Sequence, residues 1–298
     1  MINVLTIHWH STKWIDLQLA YLERYVDAPY RVFASLNGID DSGTGTRFHF
    51  AEDLPGGHAV KLNELARQAV ARSDPDDVLL FLDGDAFPVQ PLVPWIGQTL
   101  SVHPLAAVRR TENGGDLRPH PSFCVTTVGF WEQLGGDWRP RPWTSPTGLE
   151  FLDAGTVLYD KLGEGGVEWL PLLRSNTVDL HPLWFAVYDH RIYHHGAGFR
   201  RRFSYVDRDN VRVDAVAARS WKGAPSLGAL SVQVRKDPAM LLRLRPRDVP
   251  RIGSSAMKSA RRMVTRRYER RAEQTAAHVL SRLSDPGFFH ELDEAVGG

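Results

Sequence analysis

An α/β fold with a mostly parallel central sheet and helices on both faces, followed by a C-terminal helical extension, is the class this sequence predicts. Two observations carry the prediction. Short apolar runs and amphipathic stretches alternate as β-α-β from the first residues, and one of the runs, "VLLFLD" at 78–83, is apolar without interruption. Strands covered by helices on both faces read in that unbroken way, whereas half-exposed strands alternate. The size agrees, because 298 residues with 43% hydrophobic and 24% charged content suffice for one large domain or two modest ones.

Each element follows from its own pattern. "INVLTIHW" (2–9), rich in β-branched residues, predicts the first strand, and "WIDLQLAYLERYV" (14–26) spaces its apolar residues as a helix does. "YRVFASLNG" (30–38) predicts a second strand ending at a turn, and "AVKLNELARQAVARS" (59–73) a second helix closed by "DPDD". With "VLLFLD" as a third core strand, the first 90 residues resemble half of a doubly wound, Rossmann-like nucleotide-binding sheet. "PLVPWIGQTL" (91–100) and "LAAVRR" (105–110) add a helix and a strand. A polar region rich in proline and tryptophan follows from about Thr111 to Pro146, and its aromatic residues either line a cleft or pack in the ordinary way. "SPTGLEFLDAGTVLYDKLGEGG" (145–166) predicts a helix, "VEWLPL" (167–172) and "RIYHHGAGF" (191–199) predict strands, and residues from about Arg235 to Glu291 read as mostly helical and basic. The expected division is 1–90, 91–205 and 206–298, the last being the extension.

Composition narrows the function. The net charge is +1, so no global field favours nucleic acid or membrane, although arginine outnumbers lysine about five to one. The single cysteine, Cys124, excludes an internal disulfide and reads as a small buried hydrophobe in a reducing compartment. The amino terminus has no basic flank and no run reaches the ~18 apolar residues of a membrane span, so the expected location is the cytoplasm.

The chemistry centres on "LDGDAFP" (82–88). Asp83 and Asp85 follow the apolar strand, and in an open α/β sheet ligands bind outside the carboxyl ends of the strands. In an extended segment residues i and i+2 face the same side, so both carboxylates can address one point. Two such anions repel unless a cation lies between them, and oxygen ligands suit Mg2+ or Mn2+. Gly84 lets the backbone approach a ligand closely.

"GGHAVKLNELARQAVARSDPDDVLLFLDGDAFPV" (56–89) resembles the donor-binding half of GT-A-fold glycosyltransferases, in which an asparagine-bearing helix leads into an apolar strand and a D-x-D motif. Asn63 matches that asparagine. The resemblance covers most of residues 1–205 and implies a GT-A-like fold, with 1–90 as the nucleotide-sugar half and 91–205 as the acceptor half. It implies a sugar-transferring enzyme with a divalent metal, Mn2+ or Mg2+, as cofactor. By resemblance Asp83 contacts ribose or metal, Asp85 contacts metal, and the donor-side set is His8, Asn37, His58, Lys61, Asn63, Asp83, Gly84 and Arg200. "YDHRIYHHGAGFRRRFS" (188–204) resembles the segment that supplies a histidine metal ligand and then a basic residue for the donor phosphates. His194 and His195 are neighbours on a predicted strand, so one of them faces the site, with His194 favoured. Gly196 and Gly198 permit close approach, and Arg200, Arg201 or Arg202 would clamp phosphate.

"TGLEFLDAGTVLYDKL" (147–162) resembles the acceptor-side helix whose acidic residue takes the acceptor proton in inverting members. Thr147 and Glu150 have capping-box spacing, which gives Glu150 a structural task, so Asp153, i+3 on the same predicted face, is the expected general base and Glu150 the second choice. The adjacent acidic pair common in such enzymes is absent. The acceptor would be a small molecule, a glycan or a lipid-linked molecule presenting a hydroxyl or amine.

Rival readings are a haloacid-dehalogenase-like phosphatase, whose D-x-D ends the first core strand rather than a later one, and a non-catalytic nucleotide-sugar-binding protein. "DSGTGTRFH" (41–49) resembles a nucleotidyltransferase loop but follows the wrong strand, and "HWHS" (8–11) lacks the continuation of a metallohydrolase site. In the tail, Met257, Ala260, Val264 and Tyr268 form a helical stripe flanked by arginines. It reads first as a helix packed on the catalytic domain. Peripheral contact with anionic lipid at the inner membrane face comes second and nucleic acid last.

Overall fold

A computed structural model describes residues 1–39, 47–146, 148, 150–178, 180–181, 183–196, 198 and 273–293. In chain order the first part runs β1 (Ile2–Trp9), α1 (Lys13–Tyr25), β2 (Tyr30–Asn37), β3 (Phe50–Glu52), α2 (His58–Val70), β4 (Val78–Asp83) and β5 (Ala86–Pro88). Then come α3 (Val93–Leu100), β6 (Leu105–Val108), β7 (His120–Thr127), α4 (Val128–Leu134), β8 (Trp143–Thr144), β9 (Glu150–Phe151), α5 (Thr156–Glu164), β10 (Leu170–Leu172), β11 (Ala186–Tyr188) and β12 (Ile192–His194). The C-terminal described segment holds α6 (273–282) and α7 (Gly287–Asp293).

The main sheet has seven strands in the order β10-β6-β7-β4-β1-β2-β3, all parallel to their neighbours except β7, which is antiparallel to both β4 and β6. The expected α/β class with a mostly parallel sheet is therefore what the chain adopts. Alternation along the buried strands divides the core into two layers. Val4, Val32, Ala34, Leu80 and Val125 face α1 and α3, packing with Ile15, Leu22 and Ile96. Leu5, Phe33, Leu79, Phe81 and Cys124 face α2, α4 and α5, packing with Leu62, Leu65, Trp131, Leu158 and Leu162. Cys124 is a buried core residue as expected.

Three expectations are corrected. The D-x-D strand is the fourth in chain order, because the short edge strand β3 intervenes. The region 111–146 contains β7 and α4, and its tryptophans are structural: Trp131 and Trp138 pack around Phe81 at 4.8 and 5.2 Å. The helix expected near 147 begins at Thr156, and Glu150 lies on β9, paired with Thr144, so neither a capping box nor a shared helical face relates Glu150 to Asp153. Thr147 lies outside the described residues.

The late start of α5 has a local cause. Gly155 caps it with φ +96°, and a Cβ there would come within 2.2 Å of the Pro119 carbonyl oxygen. Gly155→Ala should cost at least ~1–3 kcal/mol of stability, read from urea unfolding; an unchanged midpoint would contradict this packing.

A second sheet, β11-β12-β5, is antiparallel and stands at the carboxyl end of β4. Behind it Tyr21, Phe87 and Tyr193 form a third core with Ala276, Val279, Leu283, Phe288 and Phe289, so the described part of the tail packs on the α/β body. Residues 199–272, including the Met257–Tyr268 stripe, lie outside the described residues. No helix among those described is long and apolar enough to cross a membrane.

Candidate active site

The site begins with the turn that leaves β4. Asp83 ends the strand, Gly84 and Asp85 form a turn, and Ala86 starts β5. The two carboxylates converge through this turn rather than through the extended i, i+2 geometry read from sequence. Gln18 of α1 straps it from beneath: its Nε2 donates to Asp83 O at 2.8 Å and Ala86 O at 2.7 Å, while its Oε1 accepts from Thr6 Oγ1 at 3.0 Å.

β12 brings the third group. It pairs antiparallel with β5 so that His194 lies opposite Ala86. His194 Nε2 then stands 3.5 Å from Asp85 Oδ1 and 3.7 Å from Asp83 Oδ2. One ligand atom from each of Asp83, Asp85 and His194 lies within 4.8 Å of the others. His195, on the opposite side of the strand, turns its Nδ1 to Tyr193 Oη at 3.0 Å and packs against Trp14 and Phe185. Its backbone N–H still donates to Asp85 O at 3.0 Å.

Asp85 is 4% exposed. Burial alone would raise its pKa, but the charge and hydrogen bond of His194, the charge of His195 and the Gly198 N–H together outweigh burial and hold it at about 2. Gly198 N–H donates to Asp85 Oδ2 at 2.8 Å, and a Cβ at this glycine would come 2.6 Å from the same oxygen. Only glycine lets the backbone serve as that donor.

These groups open into a cavity of about 590 Å3. Of the donor-side expectations, Asn37, His58, Lys61, Asp83 and Gly84 line it, whereas His8 and Asn63 do not. His58, at the start of α2, places Nε2 3.1 Å from Asp83 Oδ1. Burial would lower its pKa, but Asp83, with Asp153 and Asp85 behind it, raises it. Burial lowers the Lys61 ammonium, against an opposing pull from Asp53. Asn37 donates to Asp53 and to Leu54 O and so fixes the chain after β3 at the cavity edge. Asn63 binds Asp137 Oδ1 at 2.7 Å and the Trp138 N–H at 2.9 Å, pinning a loop instead. Arg200, Arg201 and Arg202 lie outside the described residues.

His8 points to the other side of β1, as strand alternation dictates, and it is Ile7 and Trp9 that reach the cavity. Burial pushes His8 down to about 4, against Gln18 and Asp85. A histidine near 6.5 when unfolded and about 4 when folded binds a proton only in the unfolded chain between those values. Stability is therefore full above about pH 6.5 and falls by roughly 3 kcal/mol as pH drops toward 4. His8→Leu should flatten that part of the stability profile; an unchanged slope would contradict the assignment.

Asp153 lines the cavity just before α5, half exposed, with Oδ2 3.2 Å from Arg110 Nη2 and Oδ1 accepting from the Ala154 N–H at 2.8 Å. Its chain is anchored by Arg118, 1% exposed, which forks onto Asp116 at 2.9 Å twice and donates to Asp153 O at 3.1 Å and Thr156 Oγ1 at 2.8 Å. The Arg118 guanidinium also lies over Trp143 and Phe151, at 5.0 and 5.1 Å from the ring centres. Glu150 is exposed on β9 and is not among the cavity-lining residues.

Sequence reasoning missed Trp9, Arg110, Glu112, Asn113, His120 and Trp184, all of which line the cavity. Only Trp9 carried a readable signal, as the next residue after His8 at the end of β1. Burial drives His120 well below the usual histidine range, helped by Arg110, His194 and His58, so it is neutral beside the three metal-type ligands.

No family model matches the chain, and no curated protein matches it. Among solved structures it is similar to a mannosyltransferase from Pyrobaculum calidifontis in complex with GDP-Man and Mn2+, at 12% identity over 99% of this chain and 88% of that one, with a TM-score of 0.43. It is similar to glucosyl-3-phosphoglycerate synthase from Mycobacterium tuberculosis in complex with Mn2+ and UDP-glucose, at 13% identity over 76% and 81% of the two chains and a TM-score of 0.38. It is also similar to the galactosyltransferase LgtC in complex with donor and acceptor sugar analogs, at 16% identity over 44% of this chain and a TM-score of 0.32. The chain spans 59% of that galactosyltransferase. What the cleft can do follows from its own side chains.

Proposed function

We propose that the protein is a metal-dependent glycosyltransferase that moves a sugar from a nucleoside-diphosphate sugar to an acceptor hydroxyl or amine. One observation carries the reading: two carboxylates and an imidazole converge within 4.8 Å at the carboxyl end of β4 in a mostly parallel sheet, on the wall of a cavity of about 590 Å3. Cavities of this size take ligands as large as a nucleotide sugar, and this position in an open sheet is where phosphates bind.

The donor set fits a divalent cation. Asp85 is held ionised by its surroundings, Asp83 and His194 stand beside it, and His195 is withdrawn to Tyr193. Two carboxylates suit Mn2+ or Mg2+, and the imidazole favours Mn2+ of the two. Bound there, the ion would neutralise charge on a departing diphosphate.

The chain's own residues supply the rest. Trp9, Asn37 and Lys61 line the cavity and offer it an aromatic face, an amide and an ammonium suited to a base and a phosphate. Asp153 also lines the cavity, held by Arg110, where it can take the proton of an attacking acceptor hydroxyl. A bond forms from that oxygen to the anomeric carbon as the bond from carbon to diphosphate breaks, with inversion. A metal-dependent phosphatase would use the same Asp83–Asp85 pair but would hydrolyse a phosphate monoester with no acceptor, and that activity is the result that would favour it. A thermal-shift panel of nucleoside diphosphates with and without Mn2+ tests the reading: stabilisation that needs both nucleotide and metal supports it, and no shift with any nucleotide removes it.

A further inference from the structure

Asp83 presents its two carboxylate oxygens to different neighbours. Oδ2 stands 3.7 Å from His194 Nε2, where Asp85 completes the group of three ligand atoms within 4.8 Å of one another. Oδ1 stands 3.1 Å from His58 Nε2. His58 is not a member of that group of three, so it addresses Asp83 without reaching the other two ligands.

The two partners are held by separate elements. His58 is the first residue of α2, whose Ala59, Leu62 and Leu65 are buried in the same core as Leu5 and Phe81. Asp83 is fixed through its main-chain oxygen by Gln18 of α1. The His58 side chain is 43% exposed and lines the cavity, so its ring can turn. Asp83 Oδ1, by contrast, is buried and has no aligned hydrogen-bond donor among the described residues. A buried carboxylate oxygen is stabilised by a donor, and 3.1 Å is already donor distance for an imidazole N–H.

We propose that His58 is a positioning residue for the metal: its Nε2–H engages Asp83 Oδ1 and leaves Oδ2 alone to face the ion, so that Asp83 binds through one oxygen. This rests on the metal-dependent reading above. Side chains that ligate a metal are ordinarily oriented by outer partners of this kind. Two other roles fit the geometry less well. A direct ligand would bring its nitrogen into the group formed by Asp83, Asp85 and His194, which His58 does not join. A phosphate contact would draw the imidazole away from Asp83 and leave the buried Oδ1 without the one cationic group paired to it among the described residues.

The test uses the full chain with His58→Leu and His58→Gln, the second of which keeps an N–H for Asp83. Melting temperatures report that both variants fold, as expected for a half-exposed side chain in the first turn of a helix. Mn2+ is titrated alone and with UDP or GDP, the free ion being counted from its electron paramagnetic resonance signal, and the nucleoside diphosphates are also titrated without metal. His58→Leu should weaken Mn2+ binding by about 10- to 100-fold, the usual effect of losing an outer partner, and His58→Gln should recover it to within about threefold of the wild type. Metal-free nucleotide affinity should be the same in all three chains. Pulsed resonance of the bound Mn2+ should show the coupling of one imidazole nitrogen, from His194, unchanged in His58→Gln. Mn2+ affinity that is unchanged in His58→Leu, or equally weak in His58→Gln, overturns the proposal. So does a nitrogen coupling lost in His58→Gln, which would make His58 a ligand, or a lower metal-free nucleotide affinity in His58→Leu, which would make it a donor contact. Each of these results leaves the metal-dependent reading intact, because the wild type still binds Mn2+. A wild-type chain that binds no Mn2+, with or without nucleotide, ends that reading and the proposal with it.

Discussion

Asp85→Asn is expected to abolish Mn2+-dependent nucleotide binding and to reduce sugar transfer by roughly 10^3-fold or more, the equivalent of the several kcal/mol that a bound metal contributes. The substitution keeps shape and leaves an oxygen for the Gly198 N–H, which now lies 2.8 Å from Asp85 Oδ2. What it removes is the charge that the surroundings work to maintain: His194, His195 and the Gly198 N–H together overcome burial to hold the carboxyl at about 2. Circular dichroism and thermal melting of the variant would show an intact fold; full nucleotide binding in Mn2+ would remove Asp85 from the metal set.

The second large effect belongs to Asp153. Asp153→Asn should lower turnover by ~10^2–10^4-fold, the usual weight of a general base, with nucleoside-diphosphate affinity unchanged. Glu150→Gln should leave both within about twofold, since Glu150 sits on β9 away from the cavity wall. Steady-state kinetics beside direct titration separates the two. If donor affinity falls as far as turnover, Asp153 is a binding residue and the base lies elsewhere.

The legible part of this protein was the part governed by local pattern. β1, α1, β2, α2 and β4 follow from apolar periodicity, and the D-x-D turn stands at the end of an unbroken apolar strand. β7 was hidden because "HPSFCVTT" begins with a histidine and a proline and pairs antiparallel between parallel neighbours, a placement that depends on tertiary contacts. The start of α5 was misread because an acidic stretch imitates a helix start, while the Pro119 carbonyl packed against Gly155 sets the actual one. The meeting of His194 with Asp85 depends on the β5–β12 pairing, which joins segments more than a hundred residues apart through three-residue strands. The Arg110–Glu112–Asn113 wall left no sequence signal at all, since charged and amide residues in a turn ordinarily face water.

The most direct measurement is anomalous diffraction at the manganese edge from crystals grown with Mn2+ and a nucleoside diphosphate. The account predicts a single peak about 2 Å from oxygens of Asp83 and Asp85 and from His194 Nε2, with phosphate oxygens completing the shell. A bound nucleotide with no peak between those three side chains, or with manganese held elsewhere in the cavity, would contradict it.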